Sequence, residues 1–144
     1  MRIKLVEKAK YQLTLYSTKE SAGIDLRANP GNDVILKPFK RILVPNELFM
    51  EIKAGYKAPI RTGSVMAINK GVNVLNSSET IDADYREKIC IILMNSLNEK
   101  FVINDVELIW QMVIAKNKKD KLKTVEILLD SEREVGGFGH TGKN

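Results

Sequence analysis

The sequence predicts an all-β protein, built as a sandwich or barrel, with at most one short helix. Apolar runs of four to eight residues alternate with turn residues along the chain, which is typical of short strands joined by loops. No segment keeps a helical period long enough to indicate a long helix. The length of 144 residues fits one domain with a sizeable core.

The predicted strands follow one another between clusters of Gly, Pro and Asn. The earlier ones cover residues 3–5, 13–16, 21–28, 34–36, 39–44, 48–52 and 56–60. The one helix candidate is Ser64–Lys70, which Gly71 ends. Two later strands, residues 89–94 and 108–115, are apolar on both faces, and residues 125–129 close the series. A small two-sheet protein cannot cover both faces of several strands, so we expect a subunit interface.

The stretch between residues 74 and 94 predicts a β-hairpin with a polar tip. An apolar pair leads into a Ser-rich turn, and a second polar group precedes the apolar run at 89–94. The tip is unusually rich in side chains that can bind or react with a ligand, namely Asn76, Asp82, Asp84 and Tyr85. Loops on a rigid scaffold often hold binding and catalytic groups. These residues alone leave open the alternative of a solvated, acidic tip.

Composition excludes several classes of function. The chain has 23 Lys+Arg against 18 Asp+Glu, and five lysines fall between residues 116 and 123 without interleaved aromatics, so we predict no nucleic-acid binding. Cys90 lies in an apolar run, which predicts a small buried hydrophobe in a reducing compartment. The first eight residues carry charges where a signal peptide needs an apolar core, and no apolar run has transmembrane length. We therefore predict a soluble, cytoplasmic protein with no membrane partner.

The C-terminal residues depart from the strand pattern. Residues 133–142 are rich in glycine and include Phe138, a hydroxyl and a cation. Converging backbone N–H groups could close over a phosphate, whereas a frayed tail is the alternative. We accordingly divide the chain into a β domain over residues 1–130 and a flexible arm over residues 131–144.

Four stretches of the chain resemble motifs of the homotrimeric deoxyuridine triphosphate nucleotidohydrolase (dUTPase) family. They are Ala22–Leu26, Asn76–Arg86, Gln111–Ile114 and Gly136–Gly142, in the order that the family has them. The resemblance implies a distorted jelly-roll fold, a homotrimer with shared active sites, and Mg²⁺ as cofactor. It implies hydrolysis of dUTP to dUMP and pyrophosphate, which limits uracil incorporation into DNA and supplies dUMP.

The resemblance also implies roles for individual residues. Asp82 matches the catalytic carboxylate that holds the attacking water in line, and Asp25 matches the carboxylate that reaches Mg²⁺ through water. Tyr85 matches the ring under the deoxyribose. The other implied substrate contacts are Asn76, Thr80, Ile81, Ser64, Arg61, Gln111, Arg133, Phe138, Gly139, His140 and Thr141.

Several positions depart from the family pattern. In the remaining motif, the register without a gap puts Ser64 at the family serine and Gly63 where an arginine belongs, which leaves Arg61 as the alternative guanidinium. Leu108 replaces another arginine, and three glutamates stand where glycine is usual: Glu79, Glu87 and Glu134. The sequence therefore leaves open an active enzyme, a weakened or inactive nucleotide-binding or interaction protein, and the related deoxycytidine triphosphate deaminase activity.

Overall fold

The computed structural model describes residues 3–8, 16–134 and 136, and these form twelve short strands and one helix. The all-β prediction is therefore confirmed. The strands are β1 (Lys4–Glu7), β2 (Gly23–Arg27), β3 (Val34–Leu36), β4 (Arg41–Pro45), β5 (Leu48–Glu51), β6 (Tyr56–Thr62), β7 (Val72–Val74), β8 (Glu79–Ile81), β9 (Cys90–Asn95), β10 (Phe101–Ile103), β11 (Leu108–Val113) and β12 (Ala115–Lys116), with helix α1 (Ser64–Lys70) after β6.

All of the described strand pairs are antiparallel. The largest sheet has the order β12-β6-β11-β2, and β8 also pairs with β6. A second sheet has the order β4-β9-β7, and two-stranded pairs join β1 to β5 and β3 to β10. The buried side chains of both larger sheets belong to one apolar cluster, so the core is continuous between them.

Alternation along the strands explains which residues fill the core. In β9, Ile91 and Leu93 are fully buried while Ile92 is half-buried on the other face. In β11 a register shift between Leu108 and Trp110 breaks the alternation, so that Ile109 and Trp110 are both buried. A central Trp is thereby enclosed.

Helix α1 begins and ends where the sequence predicts. Gly71 has φ 56° and ψ 22°, a left-handed conformation, and its backbone N–H bonds to the carbonyl oxygen of Met66. A side chain there would also collide with Leu97, because a Cβ would lie 2.4 Å from its Cγ. Two separate reasons therefore require glycine at the end of this helix.

The structure corrects three strand predictions. Residues 125–129 form no strand and are exposed, and β10 was not predicted. The expected hairpin between residues 74 and 94 is only partly a hairpin, because β7 pairs with β9 whereas β8 pairs with β6. Most of the predicted strand at 13–16 lies outside the described residues. Its last residue, Tyr16, is described and forms an isolated β-bridge with Ile24.

Candidate active site

Three polar side chains stand in a row across the largest sheet. Asp25 on β2 is opposite Gln111 on β11, and Gln111 is opposite Arg61 on β6. Residues directly opposite one another on antiparallel strands project to the same face of the sheet. Pairing therefore brings together side chains that are 86 and 50 residues apart in sequence. We call Asp25, Gln111 and Arg61 the polar row.

Hydrogen bonds connect the polar row from end to end. Arg61 Nη2 donates to Gln111 Oε1 at 2.9 Å, and Gln111 Nε2 donates to Asp25 Oδ1 at 3.4 Å. Ser17, which no sequence signal marks as a site residue, donates its hydroxyl to Asp25 Oδ2 at 3.1 Å. Arg61 is exposed, so the other N–H groups of its guanidinium remain accessible to an anion.

Gly23 makes room for this arrangement. A Cβ at this position would lie 2.3 Å from both Cγ and Cδ of Gln111, which is closer than non-bonded carbon atoms can approach. The Gln111 side chain therefore crosses the backbone of β2 at Gly23 on its way to Asp25. Any larger residue at position 23 would displace the central member of the polar row.

The turn from β6 into α1 places two further candidates beside the polar row. Ser64 is the first helical residue and is exposed, while Gly63 precedes it with φ −63° and ψ 147°. The Gly63 N–H donates to the Ile109 carbonyl oxygen at 3.0 Å. A Cβ on Gly63 would meet only that oxygen, at 3.6 Å, so this position can accept a side chain without strain.

A second group of candidates surrounds a cavity where two strands separate. The β7–β9 pairing continues as far as the bond from Leu75 N–H to the Ile92 carbonyl oxygen, and the chain then leaves β9 to pair with β6. The gap is a cavity of about 340 Å³, which we call the hairpin cavity. Its lining residues are Glu79, Thr80, Ile81, Asp82, Asp84, Tyr85 and Cys90.

Hydrogen bonds fix the aromatic ring at this cavity. The Tyr85 hydroxyl donates to the Lys88 carbonyl oxygen at 2.9 Å, and the Tyr85 backbone N–H donates to the Asp82 carbonyl oxygen at 3.2 Å. Arg86 Nη1 donates to the carbonyl oxygens of Ala83 and Tyr85 at 2.7 and 2.9 Å. Desolvation of the Tyr85 phenol raises its pKa, and the nearby ionisable groups raise it by a smaller amount. The phenol therefore stays protonated and keeps its hydrogen bond to the Lys88 carbonyl oxygen.

Asp82 and Asp84 are both exposed and line the hairpin cavity. Both also line a larger cavity of about 830 Å³ between the hairpin tip and the β5–β6 turn. Their positions therefore make either carboxylate available to a ligand. Asn76 is exposed too, but it lies outside the lining of the hairpin cavity.

Glu79 contributes a partly buried carboxyl group to the hairpin cavity. Burial raises the pKa of this carboxyl group, while hydrogen bonds from the Asn76 side chain and the Ile92 backbone lower it by less. Its Oε2 atom is buried and has no hydrogen-bond partner among the described residues. A proton on Glu79 would therefore relieve an unfavourable buried charge.

Cys90 was predicted to be a buried hydrophobe, and the structure corrects this. The neighbours Ile89 and Ile91 are fully buried, whereas Cys90 points to the other face of β9 and is a half-buried part of the cavity lining. Burial raises the pKa of the thiol, and the nearby Lys88 ammonium lowers this pKa by a smaller amount. The thiol is therefore neutral at physiological pH.

Comparison with known proteins identifies the family. The dUTPase family model matches residues 9–142, nearly the whole chain. The deoxyuridine 5'-triphosphate nucleotidohydrolase of Finegoldia magna is 40% identical over 142 residues, covering 99% of both chains. That of Cytophaga hutchinsonii is 45% identical over 141 residues, covering 98% of this chain and 92% of its own. The chain belongs to the dUTPase family.

Solved structures of dUTPases have the same fold. The dUTPase of Staphylococcus bacteriophage 80alpha, determined with dUPNHPP, aligns with a TM-score of 0.85 at 20% identity and 99% coverage of both chains. A mutant dUTPase of phage phi11 of S. aureus, described with a coordinated structural Mg(II) ion, aligns with a TM-score of 0.79 at 16% identity, covering 90% of this chain and all of its own. The jelly-roll expectation is thereby confirmed.

The arm that dUTPase resemblance places over the nucleotide lies largely outside the described residues. This applies to Phe138, Gly139, His140 and Thr141, while Arg133 is described and exposed. The Arg133 Nε–H donates to the Gly136 carbonyl oxygen at 2.8 Å. Glu134 has φ 45°, a left-handed conformation that favours glycine over residues with a side chain.

The donor set of the polar row fits a water-mediated Mg²⁺. Among residues 3–8, 16–134 and 136, no three His, Cys, Asp or Glu side chains are grouped to hold a metal ion directly. Mg²⁺ commonly keeps several waters and binds through one or two carboxylates and substrate phosphates. Asp25 is a half-buried carboxylate that accepts one hydrogen bond on each oxygen from the part of the chain that the structure describes, which leaves lone pairs for a metal-bound water.

The described part of this dUTPase-family chain contains one helix, α1, of seven residues. No described helix could span a bilayer, which takes about 20 residues.

Proposed function

We propose that this protein hydrolyses dUTP to dUMP and pyrophosphate with Mg²⁺ as cofactor. The observation that carries the proposal is the pair of sites described above. The hairpin cavity offers backbone groups, an aromatic ring and two exposed carboxylates, and the polar row offers a guanidinium, a carboxamide and a carboxylate. Relatives 40–47% identical to the chain bear the name of this activity.

The nucleoside would bind at the hairpin cavity. The backbone of Thr80 and Ile81 would read the edge of the uracil, with the carboxamide of Asn76 as a further partner. The Tyr85 ring would pack under the deoxyribose and leave no space for a 2′-hydroxyl. Its bond to the Lys88 carbonyl oxygen supports this role, because a ring with a fixed position excludes an added atom better than a mobile one.

The triphosphate would bind along the polar row. Arg61 has an accessible guanidinium, Gln111 orients it, and the Ser64 hydroxyl follows at the start of α1. The position of Arg61 supports it, rather than residue 63, as the source of the guanidinium that Gly63 does not supply. Glycine at 63 would then mark a relocated phosphate contact and not a lost one.

The reacting water would be held by Asp82. Carboxylates are weak bases near neutral pH, so the main contribution of Asp82 would be to fix the water in line with the α-phosphorus. Bound Mg²⁺ neutralises charge that develops on the phosphate oxygens. Asp25 would orient this ion by accepting hydrogen bonds from one of its waters.

The C-terminal arm would cover the bound nucleotide. Phe138 would stack over the uracil, and Arg133, Gly139, His140 and Thr141 would surround the terminal phosphates. Closure would exclude water and strengthen every charge-assisted contact.

The active unit would be a homotrimer with sites shared between subunits. None of the polar-row residues lines the hairpin cavity, so a neighbouring chain can supply the second half of each site. Several large apolar side chains are also highly exposed, and contact with neighbouring subunits would bury them: Leu43, Leu122, Ile127, Leu128 and Leu129. Light scattering at micromolar concentration should give three times the mass of 16.3 kDa.

Pyrophosphate release tests the activity. Protein with Mg²⁺ should release pyrophosphate from dUTP and much less from UTP, dTTP or dCTP. Binding of a non-hydrolysable dUTP analogue without any turnover would instead support the weakened or inactive alternative, which the names of the relatives do not favour. Ammonia release from dCTP would support the deaminase.

A further inference from the structure

Ser17 holds one oxygen of the carboxylate at the end of the polar row. Its hydroxyl donates to Asp25 Oδ2 at 3.1 Å, and among the described residues the other carboxylate oxygen, Oδ1, accepts a longer bond of 3.4 Å from Gln111 Nε2. Ser17 precedes every stretch that resembles a family motif. It is therefore a residue that no motif assigns to the site.

A local turn keeps Ser17 in this position. The Ser21 N–H donates to the Thr18 carbonyl oxygen at 3.1 Å, and the Thr18 N–H donates to the Ser21 hydroxyl at 3.0 Å. The bridge between Tyr16 and Ile24 then brings the preceding residues alongside β2, where Asp25 lies. The serine hydroxyl thus reaches Asp25 from a turn that is closed by its own hydrogen bonds.

The two bonds together determine the plane of the Asp25 carboxylate. The terminal torsion of an aspartate side chain has broad minima, so a carboxylate held by one long bond can rotate. A second donor on the opposite oxygen removes that freedom. The lone pairs that remain on each oxygen then point in defined directions before any ligand arrives.

We propose that Ser17 is a positioning residue for Asp25, and that it tunes how strongly the protein binds the magnesium form of a nucleoside triphosphate. The proposal rests on the proposed function, since Asp25 is the carboxylate assigned there to a Mg²⁺-bound water. Ser17 acts through Asp25 and does not itself contact the ion. Loss of an outer partner of a metal-site group commonly weakens metal affinity by about 10- to 100-fold.

Calorimetry with a non-hydrolysable dUTP analogue tests the proposal, with titrations in Mg²⁺ and in EDTA. The parent should bind the analogue more tightly in Mg²⁺. Ser17→Ala should reduce this gain by about tenfold, the low end of the range expected for an outer partner. Its affinity in EDTA should remain within about twofold of the parent, because Ser17 touches no part of the nucleotide. Ser17→Thr, which keeps the hydroxyl, should retain most of the gain.

Ser96→Ala is the matched control. Ser96 is also exposed and its hydroxyl oxygen accepts a bond from Asn73 Nδ2 at 3.0 Å, outside the polar row. This variant should match the parent in both titrations. Equal thermal unfolding of the parent and the three variants would show that none of the substitutions perturbs the fold.

Two results would overturn the proposal. In one, Ser17→Ala keeps the full gain in Mg²⁺. In the other, it loses the same affinity in EDTA as in Mg²⁺, which would indicate a disturbed loop. Failure of the proposed function looks different, because the parent itself would then release no pyrophosphate from dUTP.

Discussion

Removal of the Arg61 guanidinium is the most informative single change. In the free protein Arg61 is exposed and bonds to Gln111 Oε1 at 2.9 Å, which water can replace when the side chain is truncated. Arg61→Ala should therefore leave the free energy of unfolding nearly unchanged. In the complex, one charge-assisted bond to a phosphate is worth about 1.5–3 kcal/mol, a factor of about 10 to 150 in kcat/KM.

The assay is steady-state pyrophosphate release from dUTP with Mg²⁺. Arg61→Ala should lower kcat/KM by about 10- to 150-fold. Arg61→Lys should fall between the parent and Arg61→Ala, because an ammonium cannot make the paired contacts of a guanidinium. Affinity for deoxyuridine should not change. Arg41→Ala, which removes an exposed arginine from β4, is the control and should stay within about twofold of the parent.

A second substitution at position 63 separates the two possible sources of the guanidinium. Gly63 has an extended conformation and room for a Cβ, so Gly63→Arg should fold normally. In the Arg61→Ala background, Gly63→Arg should recover part of the lost kcat/KM. Should Arg61→Ala keep more than half of the parent kcat/KM, while Gly63→Arg in the parent raises it more than tenfold, our placement of the phosphate contact would be refuted.

Three further predictions concern acidic residues. Asp82→Asn should abolish hydrolysis but keep binding of a non-hydrolysable analogue by calorimetry, and Asp84→Asn should be milder; equal losses would contradict the assignment of Asp82. Folding raises the pKa of Glu79 above its ordinary 4.5, so its contribution to stability is full below about pH 4.5 and is lost as pH rises through the folded pKa. Glu79→Gln should thus have a higher urea midpoint than the parent at pH 8 but not at pH 4, and a constant difference would refute the argument. Glu134→Gly should relieve a left-handed conformation at φ 45° and raise kcat/KM for dUTP by removing an anion from the arm; a slower variant would contradict this.

Local patterns predicted the elements whose signals lie within a few residues. The helix over 64–70 was found because Gly71 is a clear end signal, and the structure shows the left-handed conformation that the signal implies. The pairing of β8 with β6 could not be predicted, because the residues of β8 (Glu79–Ile81) carry no signal that identifies the neighbouring strand. The apolar run at 125–129 predicts a strand that does not form, because apolar side chains indicate that a segment is to be buried but not which element or subunit buries it.

The candidate site likewise contains residues that the sequence identifies and residues whose role depends on how the strands pair. Asp25, Arg61 and Gln111 were named through the resemblance, and strand register brings them together. Ser17 was missed because a single serine before a turn carries no signal of its own. The position of Cys90 was misjudged from its apolar neighbours, since the two faces of β9 have different surroundings.

The measurement that most directly tests the central claim is a mixing experiment. The claim is that one active site joins the hairpin cavity of one subunit to the polar row of another. Asp82→Asn and Arg61→Ala proteins, each impaired alone, are unfolded together, refolded and assayed for pyrophosphate release from dUTP. Random trimers should contain intact sites in about a quarter of positions, so about a quarter of the parent activity should return. Activity no greater than the average of the two separate proteins would contradict the claim.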